Sequence, residues 1–248
     1  VKCMYRGVRV SLVLPAYNEE KNIGDAIRNF KSMKLIDEII VVNNASTDQT
    51  GKVAKSFLGV IVVDEKRKGL SYARHAGFLA SSGDLIANID ADTILTPGWI
   101  EKVFTAFIAN PNLAAFSGPY IYYDLSKLVN FGVRIFYYLG FIFHLINKTI
   151  LNSGAMLQGG NFIVRRSALE KIGGYNLEFD FYGEDTDIAC RLNKIGEVVF
   201  TFDLPMYTSG RRLAKEGIIT MGARYGINHL WAIFFKKPFT KKFIDIRD

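Results

Sequence analysis

Short apolar runs alternate with segments of helical spacing over roughly the first ninety residues. The runs are rich in β-branched residues and have the length of single strands. Because only strands that are buried on both faces are apolar throughout, this alternation predicts a parallel sheet covered by helices on both sides. The predicted strands are 8–14 (ending before Pro15), 38–42, 60–63 and 85–89, and the predicted helices are 22–30, 51–57 and 71–80.

The composition is that of a chain that forms a hydrophobic core. Of its 248 residues, 49% are hydrophobic and 22% are charged, which excludes disordered, collagen-like and disulfide-stapled classes. The only cysteines are Cys3 and Cys190, so a reducing compartment is expected, although one bridge between them stays open. The sequence shows no secretory signal, linker or repeat, and 1–248 is interpreted as one domain.

Polar residues follow each of the four predicted strands. Ligands of open α/β sheets bind beyond the carboxyl ends of the strands, so these segments predict a shared site. Asp90 and Asp92 have the spacing to hold a hard divalent cation, which takes oxygen ligands. An isolated Asp-x-Asp is more often a turn, so the prediction depends on its position at a strand end. The four segments are 15–20 (PAYNEE), 43–48 (NNASTD), 64–69 (DEKRKG) and 90–92 (DAD).

Residues 128–146 form an apolar stretch with 14 apolar residues in 19 and one formal charge, Arg134. That length nearly spans a bilayer. Asn130, Arg134 and His144 interrupt it, so a buried amphipathic helix, an interfacial helix and a membrane span all stay open.

The last 44 residues carry most of the charge excess. From Pro205 onward there are nine Lys and Arg and three acids, a net of +6 out of +7 for the whole chain. Large aromatic side chains alternate with these charges, as on surfaces that lie on anionic lipid. The alternative is an ordinary solvent-exposed face. Nucleic acid is not expected as a partner, because no recognised nucleic-acid-binding motif accompanies the charge.

Two further segments carry candidate chemistry. Residues 158–162 (QGGNF) form a turn that enters a short strand, FIVRR. Residues 179–187 (FDFYGEDTD) lead into a helix in which Asp185 is either a favourable cap at the helix start or a general base.

Taken together, these motifs resemble the family 2 glycosyltransferases, enzymes of the GT-A fold that use a nucleotide-activated sugar. The resemblance covers roughly residues 8–213. It implies a mostly parallel, Rossmann-like sheet flanked by helices, with the apolar segment as a helical insertion and a basic helical tail. The implied parts are a nucleotide-sugar half (8–118), an acceptor half (119–213) and the tail (214–248). The matching motifs are VSLVLPAYNEE, VVNNASTDQT, KGLSYARHAG, IANIDADT, GGNFIVRRSALEKIGGY, FYGEDTDIACRL and TSGRRL.

The resemblance also implies a set of donor-binding residues. Asn44 would complete the base pocket, where Asn43-Asn44 stands in place of an acidic pair and leaves the base, uracil or guanine, open. Asp92 would bind Mg²⁺ or Mn²⁺, and Asp90 would contact the ribose or the metal shell. The donor is then a UDP- or GDP-sugar. The residues implied in nucleotide binding are Pro15, Ala16, Tyr17, Glu19, Asn44, Lys68, Gly69, Arg74 and Asp90.

On the acceptor side, Asp185 of the Glu184-Asp185 pair resembles the catalytic base of an inverting enzyme. Gly160 and Asn161 would border the acceptor, and Arg211 and Arg212 would bind phosphate oxygens. The Gln-x-x-Arg-Trp motif of processive polysaccharide synthases is absent, so a single transfer to a saccharide or lipid-linked acceptor is expected, in cell-envelope glycan synthesis at the cytoplasmic face of a membrane.

Two other functions stay open at this point. A sugar-phosphate nucleotidyltransferase shares the nucleotide-binding architecture, but it would carry a Gly-rich basic loop where this chain has an acidic one. A catalytically degenerate scaffold is the non-enzyme alternative, which the presence of Asp90, Asp92 and Asp185 disfavours.

Overall fold

The computed structural model describes residues 7–150 and 156–240. The strands are β1 (Val10–Ala16), β2 (Glu38–Asn44), β3 (Val60–Glu65), β4 (Leu85–Ile89), β5 (Thr93–Leu95), β6 (Leu113–Ser117), β7 (Tyr120–Tyr122), β8 (Asn161–Arg165), β9 (Glu197–Phe200) and β10 (Met206–Thr208). The helices are α1 (Ile23–Lys31), α2 (Thr50–Lys55), α3 (Leu70–Ala80), α4 (Trp99–Ala109), α5 (Lys127–Ile150), α6 (Arg166–Lys171), α7 (Glu184–Leu192), α8 (Arg211–Glu216) and α9 (Ile218–Phe235). Every strand and helix predicted in the first ninety residues is present, with boundaries shifted by a few residues.

The central sheet has seven strands in the order β3-β2-β1-β4-β8-β6-β9. Strands β3, β2, β1 and β4 are parallel, and β8 runs antiparallel to both of its neighbours. Strand β9 pairs in parallel with β6. The largely parallel sheet predicted from the sequence is therefore confirmed, and β8, from the second half of the chain, is inserted between two strands of the first half. A small sheet, β5-β10-β7, lies beside it.

Strand β1 does not end at Pro15, as the sequence suggested, but continues to Ala16. Its pairing with β4 stops at Val13, whereas its pairing with β2 continues to Ala16. Proline is tolerated in this last part because only one neighbour remains there to be hydrogen-bonded. The extension carries Pro15 and Ala16 out to the polar edge of the sheet.

Alternate residues of the central strands pack in two apolar layers, one on each face of the sheet. Leu12 and Leu14 of β1 pack in a cluster with α1 and α4, and Val13 packs in a second cluster with α3 and α7. The strand period of two thus buries β1 on both faces, which explains why its sequence is apolar apart from Ser11. The predicted helical layers on both sides of the sheet are confirmed.

Helix α5 contains the apolar stretch of residues 128–146, and its surface is largely exposed. The window Lys127–Ile146 has a mean hydropathy of 1.4, is long enough to cross a membrane, and has only 17% of its residues buried. The alternative of a buried helix is therefore wrong for the described structure. Leu128, Phe131 and Leu139 are each at least 60% exposed, so the interfacial and spanning alternatives remain.

Helix α9 places the first part of the basic tail beside α5. Phe143 of α5 lies edge-on to His229 of α9, with ring centroids 6.5 Å apart. Lys236 and Lys237 follow α9 directly. Cys3 and the basic residues Lys241, Lys242 and Arg247 lie outside the described residues.

Candidate active site

The polar strand ends meet in one cavity of about 330 Å³ at the carboxyl edge of the sheet, a volume within the range of small-molecule sites. Its wall also includes residues of α5, α7, α8 and α9, so both halves of the chain contribute. The predicted site residues on this wall are Pro15, Ala16, Tyr17, Glu19, Asn44, Lys68, Gly69, Arg74, Asp90, Asp92, Glu184, Asp185, Arg211 and Arg212.

Asp92 lies in an acidic part of this cavity, where it pairs with Arg211. The Arg211 guanidinium lies 3.1 Å from Asp92 Oδ2 and 2.5 Å from Glu19 Oε1. Burial is the largest influence on Asp92 and raises its pKa to about 6, with Asp90 adding to the rise and Arg211 opposing it. Glu19 is itself almost fully buried. This part of the cavity therefore holds more negative charge than Arg211 alone can balance.

Asp90 is positioned by residues that come from the second half of the chain. The Tyr120 hydroxyl lies 3.0 Å from Asp90 Oδ2 and 2.7 Å from the Gly159 carbonyl oxygen. Gly160 has a φ of +82°, and a Cβ at this position would collide with the Asp90 carboxylate and the Tyr120 hydroxyl. Glycine is thus required at position 160 by both its backbone conformation and the close approach of Asp90.

Arg74 and Glu184 form a buried ion pair beneath the cavity. The Arg74 side chain is fully buried, bonds Glu184 Oε1, and places its other terminal nitrogen 3.6 Å from Asp90 Oδ1. Burial raises the pKa of Glu184 to about 7, although Arg74 opposes the rise. Arg74 was predicted as a nucleotide ligand and Glu184 as catalytic, and in this structure Arg74 links Asp90 with the start of α7.

Asp185 occupies the first turn of α7 and faces the cavity. Its Oδ1 accepts a hydrogen bond of 2.8 Å from the Thr186 backbone N–H. The Thr186 hydroxyl lies 2.9 Å from His229 Nδ1 on α9. Burial lowers the pKa of His229, against the influence of Asp185. His229 therefore contacts the residue next to Asp185.

One wall of the cavity is formed by the loops after β1 and β3. Lys68 Nζ lies 3.9 Å from the centre of the Tyr17 ring. Asn44 accepts the Gly69 backbone N–H at 2.9 Å and donates to the Arg67 carbonyl oxygen at 2.6 Å. Asn44 was predicted to complete the base pocket; it lies on the cavity wall, and its amide group also binds the loop before α3.

Three predicted site residues are placed differently from the rest. Asn161 is fully buried and donates to the carbonyl oxygens of Gly118 and Leu204, so it lies beneath the cavity and not at an acceptor. Gly160, which has no side chain, contributes by allowing the close approach of the Asp90 carboxylate. Arg212 lies on the cavity wall but is paired with Glu216 at 2.9 Å, whereas Arg211 faces the acidic part of the cavity.

The described residues contain no cluster of three His, Cys, Asp or Glu side chains that would hold a metal by themselves. Two carboxylates, Asp90 and Asp92, nevertheless share one cavity. This donor set fits Mg²⁺ or Mn²⁺, because such ions bind through one or two carboxylates and complete their shell with substrate phosphates and water.

Sequence reasoning missed a group of cavity residues that belong to no recognised motif. Tyr120 lies on a strand of only three residues, which gives no periodic signal. Gln158 stood in the predicted turn but had no assigned role; its Oε1 accepts the Tyr137 hydroxyl at 2.6 Å. The apolar wall from α5 and α9 was visible in the sequence only as hydrophobicity.

The largely parallel central sheet flanked by helices matches the GT-A fold of solved structures. One similar solved structure is the mannosyltransferase PcManGT from Pyrobaculum calidifontis in complex with GDP-Man and Mn²⁺, with a TM-score of 0.65, 18% identity, and coverage of 92% of this chain and 64% of that one. Another is glucosyl-3-phosphoglycerate synthase from Mycobacterium tuberculosis with Mn²⁺, UDP and phosphoglyceric acid, with a TM-score of 0.65, 22% identity, and coverage of 93% and 80%. At these low sequence identities, the structural similarity shows the fold alone.

The family follows from the sequence comparison. The sequence model of glycosyl transferase family 2 matches residues 11–173, and the chain belongs to this family. A probable glycosyltransferase of Bacillus subtilis, YdaM, is 27% identical over 76% of this chain. The 4,4'-diaponeurosporenoate glycosyltransferase of Staphylococcus aureus is 32% identical over 40% of it. The chain spans 47% of the first relative and 28% of the second.

Proposed function

We propose that this chain transfers one sugar from a nucleotide-sugar donor to an acceptor, with inversion at the anomeric carbon. The observation that carries the proposal is the convergence of Asp90, Asp92 and Asp185 in one cavity, although more than ninety residues separate Asp92 from Asp185. Family membership and the nucleotide-sugar complexes of the structural neighbours support it. A UDP- or GDP-sugar is the proposed donor.

The donor half of the cavity would hold the nucleotide and its diphosphate. Tyr17 and Lys68 offer an aromatic face and a cation on one wall. Asp92 and Asp90 would hold Mg²⁺ or Mn²⁺, which neutralises charge on the departing diphosphate. Arg211, now paired with Glu19 and Asp92, is placed to turn toward the phosphate oxygens once a cation neutralises those carboxylates.

Asp185 would act as general base on an acceptor hydroxyl. The acceptor oxygen forms a bond to the anomeric carbon while the bond from that carbon to the phosphate oxygen breaks. The electron pair leaves with the nucleoside diphosphate, and the hydroxyl proton passes to Asp185. Glu184 is a positioning residue in this scheme, since its carboxylate is buried against Arg74.

The donor proposal predicts a stability increase on binding. A nucleotide sugar at 100 times its dissociation constant should raise the free energy of unfolding by about 2.7 kcal/mol. Thermal unfolding with UDP- and GDP-sugars, each with and without Mn²⁺, measures this and identifies the base. No metal-dependent shift with any of these donors would contradict the proposed function.

We also infer that the chain works at the cytoplasmic surface of a membrane. Helix α5 exposes apolar side chains along most of its length. Neither α5 nor α9 contains Asp or Glu, and both carry basic residues. An apolar surface with only positive charge matches an anionic leaflet better than it matches water.

Membrane contact predicts salt-sensitive binding to anionic vesicles. The protein should bind vesicles of phosphatidylcholine with 30% phosphatidylglycerol, and 0.5 M NaCl should weaken the binding by screening. Changing Lys236 and Lys237 to Gln should weaken it by about 30-fold at low salt, at about 1 kcal/mol for each charge. Lys21 and Lys52, outside α5 and α9, provide the matched double Gln control. If the protein does not bind these vesicles at low salt, the inference is contradicted. The exposed apolar surface of α5 would then be covered by another protein segment.

A further inference from the structure

Residues of α5 and α9 form an apolar part of the cavity wall, here called the apolar extension. Val133 and Tyr137 of α5 and Met221 and Tyr225 of α9 line this part. The Tyr137 hydroxyl is already engaged by Gln158 and by the Tyr120 backbone N–H. The extension therefore offers apolar surface and little hydrogen bonding, unlike the donor side of the same cavity.

Glycines shape the place where the two helices meet. A Cβ at Gly222 of α9 would lie 3.6 Å from the Phe136 ring of α5, and a Cβ at Gly132 of α5 would lie 3.6 Å from Ile218. Larger side chains at these positions would extend into the space between the helices. Gly222 itself lines the cavity.

The apolar extension is continuous with the exposed apolar surface of the protein. Phe136 and Ile218 line the cavity, yet they are 49% and 44% exposed. The same two side chains thus form cavity wall and outer surface. Leu139 and Phe131 continue this surface along α5, at 61% exposure each.

We propose that this extension, the α5–α9 channel, binds the hydrocarbon chain of an amphiphilic acceptor whose head group reaches Asp185. The inference rests on the proposed function and names its acceptor class. A polar donor gains no binding free energy from these apolar walls. A hydrocarbon chain gains binding free energy from every CH₂ group that it buries there. Such a chain can pass between the channel and a membrane without crossing a polar rim, because Phe136 and Ile218 join the two surfaces.

The head group is an alcohol or a phosphate monoester. In either case its oxygen bonds to the anomeric carbon, and the nucleoside diphosphate leaves with the electron pair. An alcohol gives its proton to Asp185. An ionised phosphate oxygen has no proton to give, so only the alcohol requires the base.

The test uses n-alkanols and n-alkyl phosphates of 4–12 carbons, kept below their micelle concentrations. Calorimetry measures their dissociation constants, and release of nucleoside diphosphate measures turnover. Affinity should rise with chain length, by about fourfold for each fully buried CH₂ group. The series that stimulates turnover more strongly identifies the head group. Equal affinity for short and long chains would overturn the proposal.

Two glycines of α9 provide a matched pair of variants. Gly222→Leu should fill the channel and remove most of the chain-length dependence. Gly226→Leu makes the same change one turn further on, where a Cβ meets no atom within 4 Å, and should keep the wild-type dependence. Both changes raise helix propensity, and thermal unfolding checks that both variants fold. Equal effects of the two variants would overturn the channel assignment.

These outcomes separate the two proposals. If donors bind with Mn²⁺ while chain length has no effect, the channel is wrong and the proposed function stands. If alkyl chains bind in a Gly222-dependent manner while no nucleotide sugar binds, the channel stands and the proposed function fails.

Discussion

Asp185→Asn should lower kcat for an alcohol acceptor by about 10²- to 10⁴-fold, the usual cost of losing a general base. The donor dissociation constant should stay near its wild-type value, because Asp185 belongs to α7, whereas the residues proposed to hold the nucleotide, Tyr17 and Lys68, follow β1 and β3. An amide cannot take up the hydroxyl proton, but it keeps the size of the side chain. Single-turnover kinetics with a saturating donor separates the chemical step from binding.

Asp187→Asn is the matched control for this prediction. Asp187 lies in the same first turn of α7 and pairs with Arg191 at 3.5 Å. It is not part of the cavity wall, so its replacement should leave kcat within about twofold of wild type. A loss of donor affinity in Asp185→Asn as large as its loss of kcat would move Asp185 into the nucleotide site.

The first half of the fold was predictable because each of its central strands is buried on both faces. Burial of β1, β2 and β4 favours runs that are largely apolar, and such runs can be recognised in the sequence without any knowledge of tertiary contacts. The polar residues at the strand ends could be predicted from the same pattern, because they begin where each apolar run stops. Their convergence at one edge is a general property of parallel sheets, and the structure confirms it.

The pairings inside the site were not predictable, because they join residues that are distant in sequence. Arg74 and Glu184 are 110 positions apart, and neither position shows by itself that the other will neutralise it. Asn44 carried a second kind of ambiguity. An amide after a strand suits both a ligand contact and a loop contact, and the hydrogen bond of Asn44 with Gly69 is a tertiary contact that the sequence does not show.

The apolar segment shows a different limit of sequence reasoning. Hydrophobicity alone gives the length of α5 but not its surroundings, so buried, interfacial and spanning helices share one pattern. Its exposure, and the contribution of Val133 and Tyr137 to the cavity wall, come from packing against the rest of the fold. The acceptor side of the site was therefore the less predictable half.

Asp92→Asn should abolish metal-dependent transfer and, at the same time, stabilise the metal-free protein. The folded protein raises the pKa of Asp92 from 3.8 to about 6, so its ionisation opposes folding. The penalty appears as the pH rises from about 4 to about 6 and is complete at pH 7. Removing the charge should raise the free energy of unfolding at pH 7 by at most about 3 kcal/mol. Arg211 keeps Glu19 as a partner in the variant.

Denaturant unfolding in EDTA at pH 4 and pH 7 measures the stability change, which should be near zero at the lower pH. Asp64→Asn is a control of opposite sign, because hydrogen bonds from Lys55 and Asn43 lower the pKa of Asp64. Its replacement should weaken the fold slightly at pH 7 and leave transfer intact. Transfer by Asp92→Asn should fall by at least about 10³-fold, since the charge stabilisation supplied by a bound metal is several kcal/mol. Near-normal turnover of this variant in EDTA would show that Asp92 does not hold a catalytic metal.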